Sequence, residues 1–280
     1  MSTPAPLISP EELSRRLDDF VILDARPGPA AYAAGHLAGA RHADLNRDLS
    51  DAEAPGADPA RGGRHPLPSP ARFAAQLAAW GIEHARPVAI YDAQGGANAA
   101  ARAWWMLRAL GHDQVFVVDG GLDAARAAGI PVTTEPPVIR PSAEPRQAQW
   151  SSPTVDIERV EALVASGEWK LLDVRSRDRF RGDAEPLDPV AGHIPGAVNL
   201  PYADNLDPEG RFRPAAELRA LYAGVLGGTP AERLIVQCGS GVTACHSLLA
   251  LEAAGLRGSA LFVGSWSEWC RSGKPQQRGD

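Results

Sequence analysis

The chain has 280 residues, 44% hydrophobic and 22% charged, with a formal net charge of -6. That composition belongs to a globular protein long enough for two ordinary domains. The mild acidity gives no reason to expect nucleic acid or an anionic membrane as partner. The N-terminus, MSTPAPLISPEEL, lacks a basic stretch followed by an apolar run, so a secretory signal is not expected. Three cysteines, Cys238, Cys245 and Cys270, do not suggest a disulfide framework, and a reduced, cytoplasmic protein is the expectation.

Taken in chain order, the predicted elements occur twice. Residues 20–26 read FVILDAR, an apolar run closing on Asp24; residues 34–40 read AGHLAGA. A Gly- and Pro-rich stretch, 51–70, follows and is expected to be a long surface loop inside the first half. The run VAIYD at 88–92 leads through a Gly-rich turn into a helical pattern that ends at Gly111, and VFVVDGG follows at 115–121. Residues 130–150 are proline-rich with little apolar periodicity, which is linker composition. The second half then repeats the order with WKLLDVR (169–175), AGHIPGA (191–197), LIVQC (234–238), a helical pattern ending at Gly255, and ALFVGS (260–265). It carries an insertion between its first two blocks. Strands alternating with helices predict an α/β fold made of two tandem domains, each a mostly parallel sheet flanked by helices. The expected division is a first domain over 1–135, a linker over 136–152 and a second domain over 153–280.

The chemistry concentrates at Cys238, which ends a predicted strand and is followed by Gly239-Ser240-Gly241-Val242-Thr243 and a helix. In open α/β sheets, ligands sit beyond the carboxyl ends of the strands. Glycines let such a loop curl and turn successive amide N–H groups inward, and a helix start adds free N–H groups. Thr243 is the expected N-cap. The cradle suits a thiolate, and equally the terminal sulfur of a persulfide. Position 244 is alanine and no arginine lies in the loop. A phosphate dianion would therefore meet no fixed cation, which disfavours a thiol phosphatase.

These blocks resemble the two-domain rhodanese superfamily over nearly the whole chain. CGSGVTAC is similar to the active-site loop of its 3-mercaptopyruvate sulfurtransferases, and LLDVR, GHIPGAVN and GSWSEW stand in family order. The resemblance implies a Cys238 persulfide, a small-molecule sulfur donor, and cyanide or a thiol as acceptor, a thioredoxin-like protein among them. It implies no cofactor and no metal. The first domain is catalytically inactive in that pattern, and Asp92 stands here where a cysteine would be.

Further roles follow from the same resemblance. Arg179, in DVRSRDRF, is the expected grip on the donor's anionic end. Gly239, Gly241, Val242 and Thr243 line the donor site, and Ser240 acts in catalysis. In these enzymes a histidine from the first domain is linked to that serine, and His36 matches it. His193 recurs at the equivalent place in the second half, which points instead to a fold residue. The donor has two readings. Gly239 and Ser240 are neutral where thiosulfate enzymes carry two cations, favouring 3-mercaptopyruvate. Leu187 stands where many mercaptopyruvate enzymes have a second arginine, favouring thiosulfate. A non-catalytic persulfide carrier is the reading of another class.

Overall fold

The structure is a computed structural model and describes residues 5–97, 99–143 and 149–280. The chain forms two compact units: Met1–Ser50, Pro68–Ser151 and Pro208–Phe212 make the first, and Asp51–Leu67, Ser152–Asp207 and Arg213–Asp280 make the second.

The first unit holds strands β1 (Leu7–Ile8), β2 (Val21–Asp24), β3 (His36–Leu37), β4 (Arg41–His42), β5 (Val88–Tyr91), β6 (Val115–Val118) and β7 (Val132–Thr133). Five of them form a parallel sheet in the order β1-β6-β5-β2-β4, and β3 pairs antiparallel with β7. Helices α1 (Pro10–Arg15), α2 (Pro29–Ala33), α3 (Pro70–Ala79), α4 (Ala100–Ala109) and α5 (Gly121–Ala127) connect them. The strands β2 and β5 are buried at every position, which is why, Asp24 apart, they read as apolar runs rather than alternating ones. The expected linker, 136–152, has residues 144–148 outside the described ones. Its described part packs on the first unit. Ser142 N donates to Ala78 O, and the Trp150 ring lies 5.9 Å from Phe73 and 6.1 Å from Trp105. A large aromatic ring gains more from burial than from a solvated tether.

The second unit repeats the plan with β8 (Thr154–Val155), β9 (Lys170–Asp173), β10 (Ala197–Asn199), β11 (Leu234–Gln237) and β12 (Ala260–Phe262) in a parallel sheet ordered β10-β9-β11-β12-β8. Its helices are α6 (Ile157–Ala165), α7 (Arg177–Arg181), α8 (Ala215–Leu226), α9 (Thr243–Ala253) and α10 (Ser265–Trp269). Gly111 and Gly255 follow α4 and α9 with φ of 78° and 76°, the left-handed stop expected of a helix C-terminus.

The repeated DxR blocks are a structural clamp. Arg26 grips the Asp24 carboxylate and donates to Gly35 O; Arg175 grips Asp173 and donates to Gly192 O. Each ties the carboxyl end of a central strand to the turn of the GH block that follows.

Segment 51–67 departs from expectation. It belongs to the second unit rather than being a surface loop of the first half. Gly62 N donates to Glu268 Oε1 (2.8 Å) and Arg64 N to Ser267 Oγ (3.0 Å), both at α10. The approach is close enough that a Cβ at Gly63, where φ is 80°, would stand 2.4 Å from Gly264 O.

Candidate active site

Cys238 sits at the carboxyl end of β11, the strand paired on both sides by β9 and β12. The start of α10 pins its backbone. Cys238 N donates to Ser265 Oγ (3.1 Å), Trp266 N donates to Cys238 O (3.0 Å), and Ser267 N donates to Gly239 O (2.9 Å). Ser265, with φ of 53°, is the one described non-glycine residue at positive φ. That strain is held by the hydrogen bonds its hydroxyl makes to Cys238 N and Phe262 O.

With these groups fixed, the next two amides turn to the sulfur. Ser240 N and Gly241 N donate to Cys238 Sγ at 3.4 and 3.1 Å. Val242 and Thr243, expected to line the cradle, make no such bond. The N-cap position of α9 is Val242, without a side-chain cap, so Thr243 is the first helical residue and not the cap. An alanine at Gly241 would put its Cβ 2.5 Å from Val263 O at φ of 76°. Gly241→Ala should therefore move the amide off the sulfur. A fall of about tenfold or more in kcat/KM is expected, measured beside a thermal melt to separate it from unfolding. Unchanged kcat/KM would mean that this amide does not serve the reaction.

Arg179 reaches the cysteine loop, as expected, and it is not alone. A Cβ at Gly239 would stand 3.1 Å from Arg64 Nη2 and 3.3 Å from each terminal nitrogen of Arg179. Two guanidinium groups thus converge over the residue next to Cys238, close enough that a side chain there would have to displace them slightly. Glu185 aims Arg179 through contacts of 2.6 and 3.2 Å. Asp188, whose side chain is fully buried, binds Arg64, lies 3.5 Å from Arg179 and accepts from Arg271 at 2.8 Å. Arg175 sits behind them, bound to Asp173 and 3.3 Å from Glu185, with its guanidinium 4.9 Å from the centre of the Trp266 ring. Burial pulls the Arg175 pKa down, but the negative charges of Asp173, Glu185 and Cys238 outweigh it and leave it above the usual arginine value. Among the described residues, Arg64, Arg175, Arg179 and Arg271 meet three carboxylates, Asp173, Glu185 and Asp188. The guanidinium groups of this cluster outnumber its carboxylates by one. Leu187 is exposed and contributes only its N–H, to Glu185.

Ser240 Oγ is hydrogen-bonded to a histidine at 2.8 Å, and that histidine is His65, through Nδ1. His36 is corrected. It is fully buried in the first unit, with Nδ1 at 3.0 Å from Tyr32 O and Nε2 at 3.1 Å from Glu135 O, and its ring stacks on Tyr32. Both ring nitrogens face backbone carbonyls, so the ring is committed to the fold. His193 repeats the arrangement, with Nδ1 on Phe180 O and its ring stacked on Phe180. Arg64 and His65 went unassigned at the sequence level. The available signal was the length of the 51–70 stretch, which has no counterpart in the second half; long irregular loops inside compact domains are usually functional.

The first unit builds the same cradle around a different anion. Asp92 accepts from Gln94 N (2.8 Å), Gly96 N (2.9 Å) and Ala100 N (3.2 Å). Its carboxylate takes the amides that a sulfur would need. Cys245 and Cys270 are buried free thiols; Cys245 Sγ donates to Gly241 O at 3.3 Å.

Comparison with known proteins yields consistent relatives. The rhodanese-like domain model matches residues 9–128 and again 156–272. A Pseudomonas aeruginosa protein named "Probable 3-mercaptopyruvate sulfurtransferase" is 43% identical over 275 residues, covering 95% of each chain. The thiosulfate sulfurtransferase of Mus musculus is 36% identical over 216 residues, covering 76% of this chain and 72% of that one. Among solved structures, the 3-mercaptopyruvate sulfurtransferase of Leishmania major aligns with a TM-score of 0.84 at 30% identity, covering 97% of this chain and 76% of that one.

Proposed function

The chain belongs to the rhodanese family and is a sulfurtransferase; from that premise we propose that it takes sulfur from 3-mercaptopyruvate onto Cys238 and hands it to a thiophilic acceptor. The observation that carries this reading is the convergence of Arg64 and Arg179 over Gly239, with the Ser240–His65 pair beside the sulfur.

Arg64 and Arg179 hold the donor's carboxylate, each guanidinium aimed by a buried acid. The Cys238 thiolate attacks the donor's sulfur. An S–S bond forms and the C–S bond breaks, and its electron pair passes to the pyruvate enolate. That carbon leaving group needs a proton, and Ser240 Oγ, backed by His65, delivers it. Deprotonation of the new persulfide restores the proton count, and the amides of Ser240 and Gly241 hold its terminal sulfur. In the second half-reaction, cyanide or a thiolate attacks the outer sulfur and Cys238 leaves as thiolate.

The proton relay separates the two donors. Sulfite departs from thiosulfate as a stable anion and needs no proton, so a Ser–His pair would have little to do. Thiosulfate also brings a second negative charge, while the arginines are already largely matched by Glu185 and Asp188. Arg64 supplies the second cation that Leu187 does not. The first unit is catalytically inactive in this reading, because Asp92 occupies its own cradle. The three free thiols suit a reducing compartment, the cytoplasm, where a thioredoxin-like protein would serve as acceptor.

Steady-state transfer to cyanide, with 3-mercaptopyruvate and thiosulfate compared side by side, tests the donor. A preference of about tenfold or more in kcat/KM for mercaptopyruvate is expected, equivalent to ~1.4 kcal/mol of transition-state discrimination. A preference for thiosulfate would overturn the donor assignment.

A further inference from the structure

The first unit has a second feature that its role as an inactive partner does not explain. A cavity of about 370 Å³ opens at the amino ends of its sheet, lined by Leu17, Phe20, Ile22, Arg41, Arg86 and Val138. Phe20 precedes β2, Arg86 precedes β5, and Arg41 opens the edge strand β4. The Asp92 loop lies beyond the opposite, carboxyl ends of the same strands.

Arg41 and Arg86 have no acidic partner among the described residues. Arg41 Nη1 donates to Gly39 O at 3.3 Å, and Arg86 Nη2 donates to Asp18 O at 3.1 Å. Asp18 lines the cavity but its carboxylate forms no ion pair with either arginine. Arg41 Nε is buried with no hydrogen-bond partner. Burial and the charge of Arg86 hold the Arg41 pKa below its usual value. Where the chain buries Arg26 and Arg175, each is clamped to an aspartate at 2.6 Å. Arg41 and Arg86 instead repel each other across an open space, with one donor left unused. Arg86 is exposed and its charge is solvated, so the costly feature is the buried Arg41 donor without a partner, which a bound oxyanion relieves. Apart from Asp18 the remaining wall is apolar: Phe20 and Ile22 are buried, and Leu17, Pro137 and Val138 complete it, with Val138 93% exposed.

We propose that this cavity binds a small organic anion, an oxyanion carried on a compact apolar body, with Arg41 and Arg86 on the oxyanion and Phe20, Ile22 and Val138 on the body. The shared chemistry covers a carboxylate and a phosphate monoester. The site is made wholly of first-unit residues and does not depend on the donor assignment at Cys238.

Isothermal titration of the full chain with phenylacetate, phenyl phosphate and inorganic phosphate tests it. At least one of the two phenyl probes should bind saturably with a Kd below about 1 mM, and phenyl phosphate should bind more tightly than inorganic phosphate. Which phenyl probe is tighter identifies the head group. Arg41→Gln and Arg86→Gln should each weaken binding about tenfold, and the double variant should abolish it. Sulfur transfer without probe should be unchanged in the double variant. If Arg41→Gln disturbs folding, Val138→Glu is the independent check, because an exposed side chain there bears no core packing and its carboxylate at the mouth should also weaken binding about tenfold. Absence of saturable binding by both phenyl probes, or binding indifferent to these substitutions, would overturn the site. Equal affinity for phenyl phosphate and inorganic phosphate would overturn the apolar part of it.

Discussion

Cys238→Ser is expected to lower sulfur transfer by at least about 10⁴-fold, and to leave the protein unable to take up a sulfur atom when incubated with donor. Serine is close in size, and the hydrogen bonds that position residue 238 run through its backbone to Ser265, Trp266 and Ser267, so the fold should survive. What is lost is the nucleophile. An alkoxide is far less accessible than a thiolate near neutral pH, and oxygen cannot form the disulfide-like bond of a persulfide. Intact-mass measurement of the wild-type chain after exposure to 3-mercaptopyruvate should show the mass of one added sulfur, removable by cyanide, and the serine variant should show none. Persulfide on the serine variant would move the carrier to Cys245 or Cys270 and sink the mechanism. Neither has the two amide donors that Cys238 has: Cys245 Sγ donates to Gly241 O, and burial with Asp188 nearby pushes the Cys270 thiol up, away from its reactive form.

Arg179→Gln should lower kcat/KM for 3-mercaptopyruvate by about 10²-fold or more, and Arg64→Gln should do the same. Each removes one of two charged donors from a partly buried carboxylate site. The acids that aim them are not stranded. Glu185 keeps Arg175 and the N–H groups of Leu187 and Asp188, and Asp188 keeps Arg271. The loss should therefore appear in kinetics, with thermal stability changed little. Combining the two substitutions should cost less than the sum of the single effects, because both act on one bound carboxylate. Measured with both donors, the Arg64 variant is informative about specificity. Simple additivity, or a loss confined to thiosulfate, would mean that the two guanidinium groups do not share one carboxylate.

The sequence by itself determined the repeated α/β plan and singled out Cys238 as the candidate nucleophile, for local physical reasons. Parallel strands covered on both faces must be apolar throughout, so VILD, VAIY, KLLD and LIVQ are readable as strands with their order and their Gly-terminated helices. In the Cys-Gly-Ser-Gly turn between strand and helix, glycine permits the positive φ at Gly241 with which the amides of Ser240 and Gly241 point at the sulfur. Arg179 was singled out by the family resemblance, since Arg175 and Arg177 stand beside it in the same run. The tertiary structure decided what depends on contacts distant in the chain. Ser240 could have met His36 or another histidine on sequence grounds, and it meets His65, because segment 51–67 joins the second unit at α10 through glycines that permit close backbone approach. The same contact brings Arg64 over Gly239, a placement that nothing in its own stretch of sequence announces. A histidine or arginine in a long Gly- and Pro-rich loop carries no periodicity to say which way it faces, so its partner is set by where the loop is pinned and not by its own residues.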